Sequence, residues 1–153
     1  MPPAAPPDPG YERRVRESFA RQTAMATIGA RLTRVAPGET EIELPFRADL
    51  TQQHGFLHAG IITAIADSAC GYAALSLMPA TAAVLTVEYK VNLLAPARGE
   101  RMIARGRVVK PGRTLTVCAA DVTAVEGGTE RAVATMLATL MALFDRPDLP
   151  AGT

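Results

Sequence analysis

From His58 to Met78 the chain reads HAGIITAIADSACGYAALSLM, and Asp67 is the only Asp, Glu, Lys or Arg in it. Good helix formers fill this run and no proline interrupts it before Pro79, so it predicts a buried helix over about 58–77. Moving an unpaired carboxylate out of water costs several kcal/mol and raises its pKa. A chain that keeps Asp67 there must give it either a partner or a chemical task. The same carboxylate argues against a membrane span.

At 153 residues the chain is long enough for one domain with a substantial core. The 16 basic residues nearly balance 15 acidic ones, so no broad field invites nucleic acid or an anionic membrane surface. Cys70 and Cys118 both lie in apolar surroundings and read as reduced core thiols, which suits a cytoplasmic protein. The opening MPPAAPPDPG has neither a cationic start nor an apolar core, so it does not read as a signal peptide.

The expected organisation is a Pro-rich extended tail over 1–10, a single domain over 11–146 and a C-terminal tail over 147–153. Within the domain, Tyr11 to about Arg21 is a charged amphipathic helix with Val15 and Phe19 at i, i+4 spacing. Thr27–Val35 and Thr40–Phe46 read as strands around the turn Ala36-Pro37-Gly38-Glu39, with Ile42, Leu44 and Phe46 on one face of the second. After the long helix, Val84–Leu94, Arg101–Val109, Thr114–Val125 and Glu130–Phe144 read as four strands of an antiparallel meander. Leu85, Val87, Tyr89, Val91 and Leu93 alternate along the first of these. A helix as apolar as 58–77 must be covered on nearly every side, and a twisted antiparallel sheet wrapped around it would do so. The fold class is therefore α+β: one long central helix in an antiparallel sheet, with a short N-terminal helix.

The stretch Gln52-Gln53-His54-Gly55-Phe56-Leu57-His58-Ala59-Gly60, followed by Asp67, resembles the hotdog-fold acyl-CoA thioesterases of the phenylacetate-pathway type. Their signature is an Asn or Gln, a glycine- and histidine-bearing turn that opens the central helix, and an acid about two turns in. The resemblance covers roughly residues 20–144. Ala59 stands where the family has a glycine, and Gln52 where Asn is commoner; neither change removes a backbone N–H or a side-chain amide.

The resemblance implies an acyl-CoA thioesterase that needs no metal or redox cofactor. The Ala59 N–H would bind the thioester oxygen, Gln52 would orient water or the thioester, and Thr86 would supply a hydroxyl near the attacking water. Asp67 would act as nucleophile or as general base on water; the residues themselves leave both open. His58 would line the site, and Gly55, Phe56 and Gly60 would lie against the substrate. The turn Lys110-Pro111-Gly112-Arg113-Thr114 offers two cations and backbone N–H groups, and Lys110, Gly112, Arg113 and Thr114 would hold the coenzyme A phosphates. His54 and His58 lack the pattern of a metal pair.

One geometric consequence follows from spacing alone. Asp67 lies eight residues beyond Ala59, about 12 Å along a helix axis, so one carbonyl cannot sit against both groups. If both act, they come from different subunits, and a homodimer or dimer of dimers is expected. The alternatives are a non-catalytic acyl-CoA sensor and a hotdog dehydratase or hydratase.

Overall fold

The computed structural model describes residues 5–145. The expected C-terminal tail and residues 1–4 of the expected N-terminal tail lie outside the described residues. The chain runs α1 (Tyr11–Arg21), α2 (Thr23–Ile28), β1 (Arg31–Ala36), β2 (Glu39–Pro45), a short 3-10 turn (Ala48–Leu50), α3 (Ala59–Ser76), then β3 (Ala83–Leu93), β4 (Arg101–Lys110), β5 (Leu115–Glu126) and β6 (Thr129–Leu143). This is the hotdog fold: a six-stranded antiparallel sheet curled around α3, with α1 beside it.

Two expectations are corrected. The strand read over Thr27–Val35 begins only at Arg31, because residues up to Ile28 form α2. Met25 and Ile28, three residues apart, bury on one face, and Gly29 ends the helix in the left-handed region (φ 81°) while Ala30 N–H bonds Met25 O at 2.9 Å. The β-branched Thr27 and Ile28 favoured a strand locally, and packing overrode that preference. Nor is the sheet a simple meander. Its strand order is β1-β2-β4-β5-β6-β3, so β3 leaves the helix for the far edge and β2 pairs with β4.

Strand β3 also breaks its own alternation. The register shifts between Thr86 and Glu88, so a bulge swaps the faces of the strand. Before it, Thr86 pairs with buried Leu140 on the helix-facing side; after it, Tyr89 and Val91 pair with buried Ala138 and Met136 on that same side. Leu85 is left on the outer face. The bulge is what brings a hydroxyl to the helix without turning the rest of β3 over.

The core lies between α3 and the concave face, around Ile62, Ile65, Leu75, Met102, Val122 and Leu140. Four local fastenings fix α3. A Cβ at Gly106 of β4 would overlap the Ala69 carbonyl, so helix and strand touch backbone to backbone. Thr40 Oγ1 donates to Ala69 O at 2.7 Å, and Gly38 N–H donates to Ser76 Oγ at 2.8 Å. At the helix's C-terminal end, Arg14 of α1 donates to the carbonyls of Leu75 (3.1 Å), Met78 (2.7 Å) and Pro79 (3.0 Å), taking up acceptors a helix end leaves open. Asp8 pairs with the same guanidinium at 2.9 Å. The chain is therefore held from Asp8 onward, although the composition of 1–10 predicts a mobile tail.

Fully buried Val15 completes the docking of α1. One stripe of α3 stays partly open, formed by Gly60, Thr63, Ala64, Asp67 and Gly71. Among the described residues α3 alone has the length and apolar content of a membrane span, and most of it is buried inside this sheet.

Candidate active site

The loop before α3 is built to present a bare helix tip. Gln52 N–H bonds Phe56 O at 2.8 Å, Gly55 N–H bonds Gln52 O at 3.0 Å, and Gly55 takes a left-handed φ of 82° to close the turn. Gln52 Oε1 also accepts from His54 N–H, which fixes the amide and leaves its NH2 as the free end. His58 is the N-cap of α3: its Nδ1 accepts from Gly60 N–H at 2.8 Å, and its carbonyl accepts from Ile61 and Ile62. Between these satisfied groups sits Ala59 N–H, for which no described residue provides an acceptor. It is a donor at the positive end of an 18-residue helix. Ala59 and Gln52 line one cleft of about 490 Å³ together with Phe56, Ile62, Leu93 and Pro96.

The sequence expectations for this loop separate accordingly. Ala59, Gln52 and Phe56 share the cleft. His58 spends Nδ1 on capping, Gly60 spends its N–H on His58, and Gly55 serves the turn, outside the cleft's lining.

Asp67 lies elsewhere, two turns along α3, in a cleft of about 220 Å³ lined by Ser18, Gln22, Ser68, Gly71, Tyr72, Val84 and Thr86. Thr86 Oγ1 donates to Asp67 Oδ1 at 2.7 Å. Burial pushes the Asp67 carboxyl up from the usual aspartate pKa, and the Thr86 hydrogen bond partly opposes it. The result is a carboxylate more basic than usual, held by one oxygen. Sequence reasoning missed the far wall of this cleft. Ser18 and Gln22 arrive from α1 and its end; Ser68 Oγ donates to Gln22 Oε1 at 3.2 Å, and the Ser18 and Tyr72 hydroxyls meet at 3.4 Å. The only signal for them was a pair of polar residues flanking Phe19 on an amphipathic helix.

The expected phosphate turn lies at the other end of α3. Residues 110–114 are exposed between β4 and β5. Gly112 permits the turn because a Cβ there would strike Leu115 O. The Arg113 guanidinium stacks 5.8 Å over the Phe144 ring, and the turn faces Leu77 and Pro79 just past α3.

Other nucleophiles are ill placed. Cys70 and Cys118 are buried free thiols; burial raises both pKa values, that of Cys118 to about 12, so neither supplies a thiolate near neutrality. Among the described residues no three His, Cys, Asp or Glu side chains converge as metal ligands.

An unspent N–H at a helix tip and a basic carboxylate are the two elements of acyl transfer. A family model described as the thioesterase superfamily matches residues 54–130, about half of the chain and inclusive of Ala59, Asp67 and the 110–114 turn. The chain belongs to the thioesterase superfamily. A solved thioesterase family protein from Silicibacter pomeroyi is 62% identical to this superfamily member, with a TM-score of 0.87 over 88% of this chain and 99% of that one. A protein from Halobacterium salinarum, named provisionally as an esterase, is 33% identical over 98 residues, covering 61% of this chain and 64% of the relative. The matched segment thus spans less than two thirds of the length of the first curated relatives. The PaaI protein of the E. coli phenylacetic acid degradation operon shares the fold, with a TM-score of 0.78 at 16% identity over 87% of this chain and 93% of that one.

Proposed function

We propose that this superfamily member hydrolyses a medium-chain or aromatic acyl-CoA to the free acid and coenzyme A, in a site formed between two copies of the chain. The observation that carries the reading is the placement of the two reactive groups in different clefts. Ala59 N–H opens into one and the Asp67–Thr86 pair into the other, with about 12 Å of helix between them. Neither half performs acyl transfer alone.

Two surfaces support the pairing that would join the halves. The open stripe of α3 carries only small residues around Asp67, so a second α3 could approach closely. Strand β3 ends the sheet with a bare edge, on which Val87, Tyr89 and Leu93 are 53%, 49% and 54% exposed. Exposed apolar edge strands invite pairing. A two-fold axis that pairs β3 with its counterpart lays the helices antiparallel and sets each Ala59 opposite the partner's Asp67.

In that site the Ala59 N–H receives the carbonyl oxygen as negative charge develops, and the Gln52 NH2 offers a second donor. Asp67 either attacks the carbonyl carbon or takes a proton from a water that does so. The C–S bond then breaks; after direct attack water opens the Asp67 acyl anhydride, and on either route a proton released from water ends on the coenzyme A sulfur, which leaves as the thiol. Lys110 and Arg113, with the N–H of Thr114, take the nucleotide phosphates, while the Gly112 N–H donates to Thr116 Oγ1 at 3.5 Å within the turn.

Thiol release from a panel of acyl-CoAs tests the reading. Asp67→Ala and Asp67→Asn are each expected to lower kcat at least about 10²-fold, the scale of a lost nucleophile or general base. Unchanged turnover would remove Asp67 from the chemistry, and tight acyl-CoA binding without release would favour a sensor. Single turnover in heavy-oxygen water tests for attack by Asp67: label in its carboxylate marks an anhydride opened at the Asp67 carbon, whereas label in the acid alone fits a general base or an anhydride opened at the acyl carbon.

A further inference from the structure

One side chain touches or carries every element that encloses Asp67, and the proposed chemistry gives it no part. The walls of that cleft come from α1 and its end (Ser18, Gln22), from α3 (Asp67, Ser68, Gly71, Tyr72) and from the start of β3 (Val84, Thr86). Helix α1 runs antiparallel along α3: Gln22 meets Ser68 at 3.2 Å, Ser18 meets Tyr72 at 3.4 Å, and the Phe19 and Tyr72 rings meet edge to face at 5.7 Å. One turn before Ser18, the same helix carries Arg14. Its Nη2 donates to Leu75 O at 3.1 Å, in the last turn of α3, and to Met78 O at 2.7 Å just beyond it. Its Nη1 donates to Pro79 O at 3.0 Å and, at 3.4 Å, to Ala82 O, the residue before β3 begins. Asp8 Oδ2 lies 2.9 Å from Nε, and only 19% of the Arg14 side chain is exposed.

We propose that Arg14 is a positioning residue for Asp67: it ties α1, the end of α3 and the entry to β3 into one corner, and so sets the Thr86 hydroxyl against the carboxylate. The inference rests on the acyl-CoA hydrolase reading and adds to it a residue that touches no substrate. An arginine that only capped α3 would spend its donors on the last carbonyls of that helix. Here Pro79 and Ala82, two of the four acceptors, lie beyond the helix, on the turn that leads into β3.

The placement of Thr86 has few other supports. Strand β3 is an edge strand, hydrogen-bonded to β6 alone, and its ladder is interrupted immediately after Thr86 by the bulge. Toward its start, Thr86 is only four residues from Ala82, ~13 Å of extended chain, and Ala82 is where Arg14 holds it. A planar guanidinium sends donors to several carbonyls at fixed angles, which a lysine ammonium on its flexible stem does not reproduce.

The test is the pH profile of kcat/KM for acyl-CoA hydrolysis in the wild type, Arg14→Gln and Arg14→Lys. Thr86 provides the one hydrogen bond that opposes the effect of burial on Asp67, so loosening it makes the carboxylate more basic. The acid limb of Arg14→Gln is expected to move to higher pH by about half a unit to one unit, the worth of one hydrogen bond. Arg14→Lys, which keeps the charge, is expected to move it the same way by less, and it carries the comparison should glutamine prevent folding. Among the residues lining the cleft, Asp67 alone ionises on the acid side, Tyr72 being the other titratable group. A protein that merely folds less well loses active fraction, which lowers the profile without moving its limb; circular dichroism over the same pH range establishes that each variant is folded. Thr86→Val moves the limb by itself, and adding Arg14→Gln to it is expected to move the limb no further, because the bond being positioned is already gone. An acid limb that stays in place in both Arg14 variants, or shifts that add in the double variant, overturns the inference and leaves the hydrolase reading standing. If the wild type cleaves no acyl-CoA, the hydrolase reading falls and takes this inference with it.

Discussion

Asp67 was legible because it is a charge in an apolar helix, whereas Ala59, Gln52 and Thr86 were named from the family resemblance. Ser18 and Gln22 beside Asp67, and Leu93 and Pro96 beside Ala59, were not legible, since they come from segments far away in sequence. In the proposed reaction Asp67 works when ionised, and burial holds its pKa above the usual aspartate value of 3.8. Activity is therefore expected to fall as pH drops through a midpoint higher than that value. Thr86→Val deletes the hydrogen bond that opposes the shift, so the acid limb of kcat/KM against pH is expected to move further up. A limb that stays in place, or moves down, would show that Thr86 does not set the basicity of the carboxylate. Ala59 allows an unusually clean deletion of a backbone donor. It occupies the first helical position, where proline is well tolerated, and His58 before it already has the extended conformation that proline demands (φ −60°, ψ 138°). Ala59→Pro is expected to lower kcat about 10²- to 10³-fold, as loss of an oxyanion donor does, while thermal melting shifts by only a few degrees. An active Ala59→Pro enzyme would place the oxyanion elsewhere.

At the scale of elements, hydrophobic periodicity marked α1 and the four strands after α3 to within a residue or two, and α3 itself was marked by its unbroken apolar run. It failed where local preference and packing disagree. Thr27 and Ile28 favour strand but close α2, and Gly29, a stop signal visible in the sequence, outweighs them. The β3 bulge could not be read from alternation either, since it is the alternation's interruption. The position of α3 over the sheet depends on a contact that no pattern announces, the approach of Gly106 to the Ala69 carbonyl two residues from Asp67. Gly106→Ala must push helix and strand apart, against the Thr40–Ala69 hydrogen bond on the neighbouring strand. We expect a loss of at least about 2 kcal/mol in chemical denaturation, the range of core overpacking, together with lowered turnover as Asp67 moves relative to Thr86. A variant as stable as the wild type would mean that the sheet opens there without strain.

The whole molecule poses a question of composition: which chain supplies which half of the site. Sequence spacing alone raised it, because about 12 Å of helix separates Ala59 from Asp67, and the fold sharpens it by giving each group its own cleft. Two inactive variants can answer it together. A dimer of Asp67→Asn with Ala59→Pro holds one site that lacks both groups and one that has both, the intact carboxylate coming from one protomer and the intact N–H from the other. Co-expressed at equal amounts, random pairing makes half of the dimers mixed, and each mixed dimer carries one working site of two. Activity should therefore return to about a quarter of the wild-type level, although each variant alone is nearly inactive. A site confined to one chain predicts no recovery, since every protomer in the mixture is then defective. The control is a double variant carrying both substitutions in one chain: mixed with wild type at equal amounts it must leave about a quarter of full activity, that of the wild-type homodimers, because one site of each mixed dimer takes its carboxylate, and the other its N–H, from the damaged chain, whereas a site confined to one chain would leave about half.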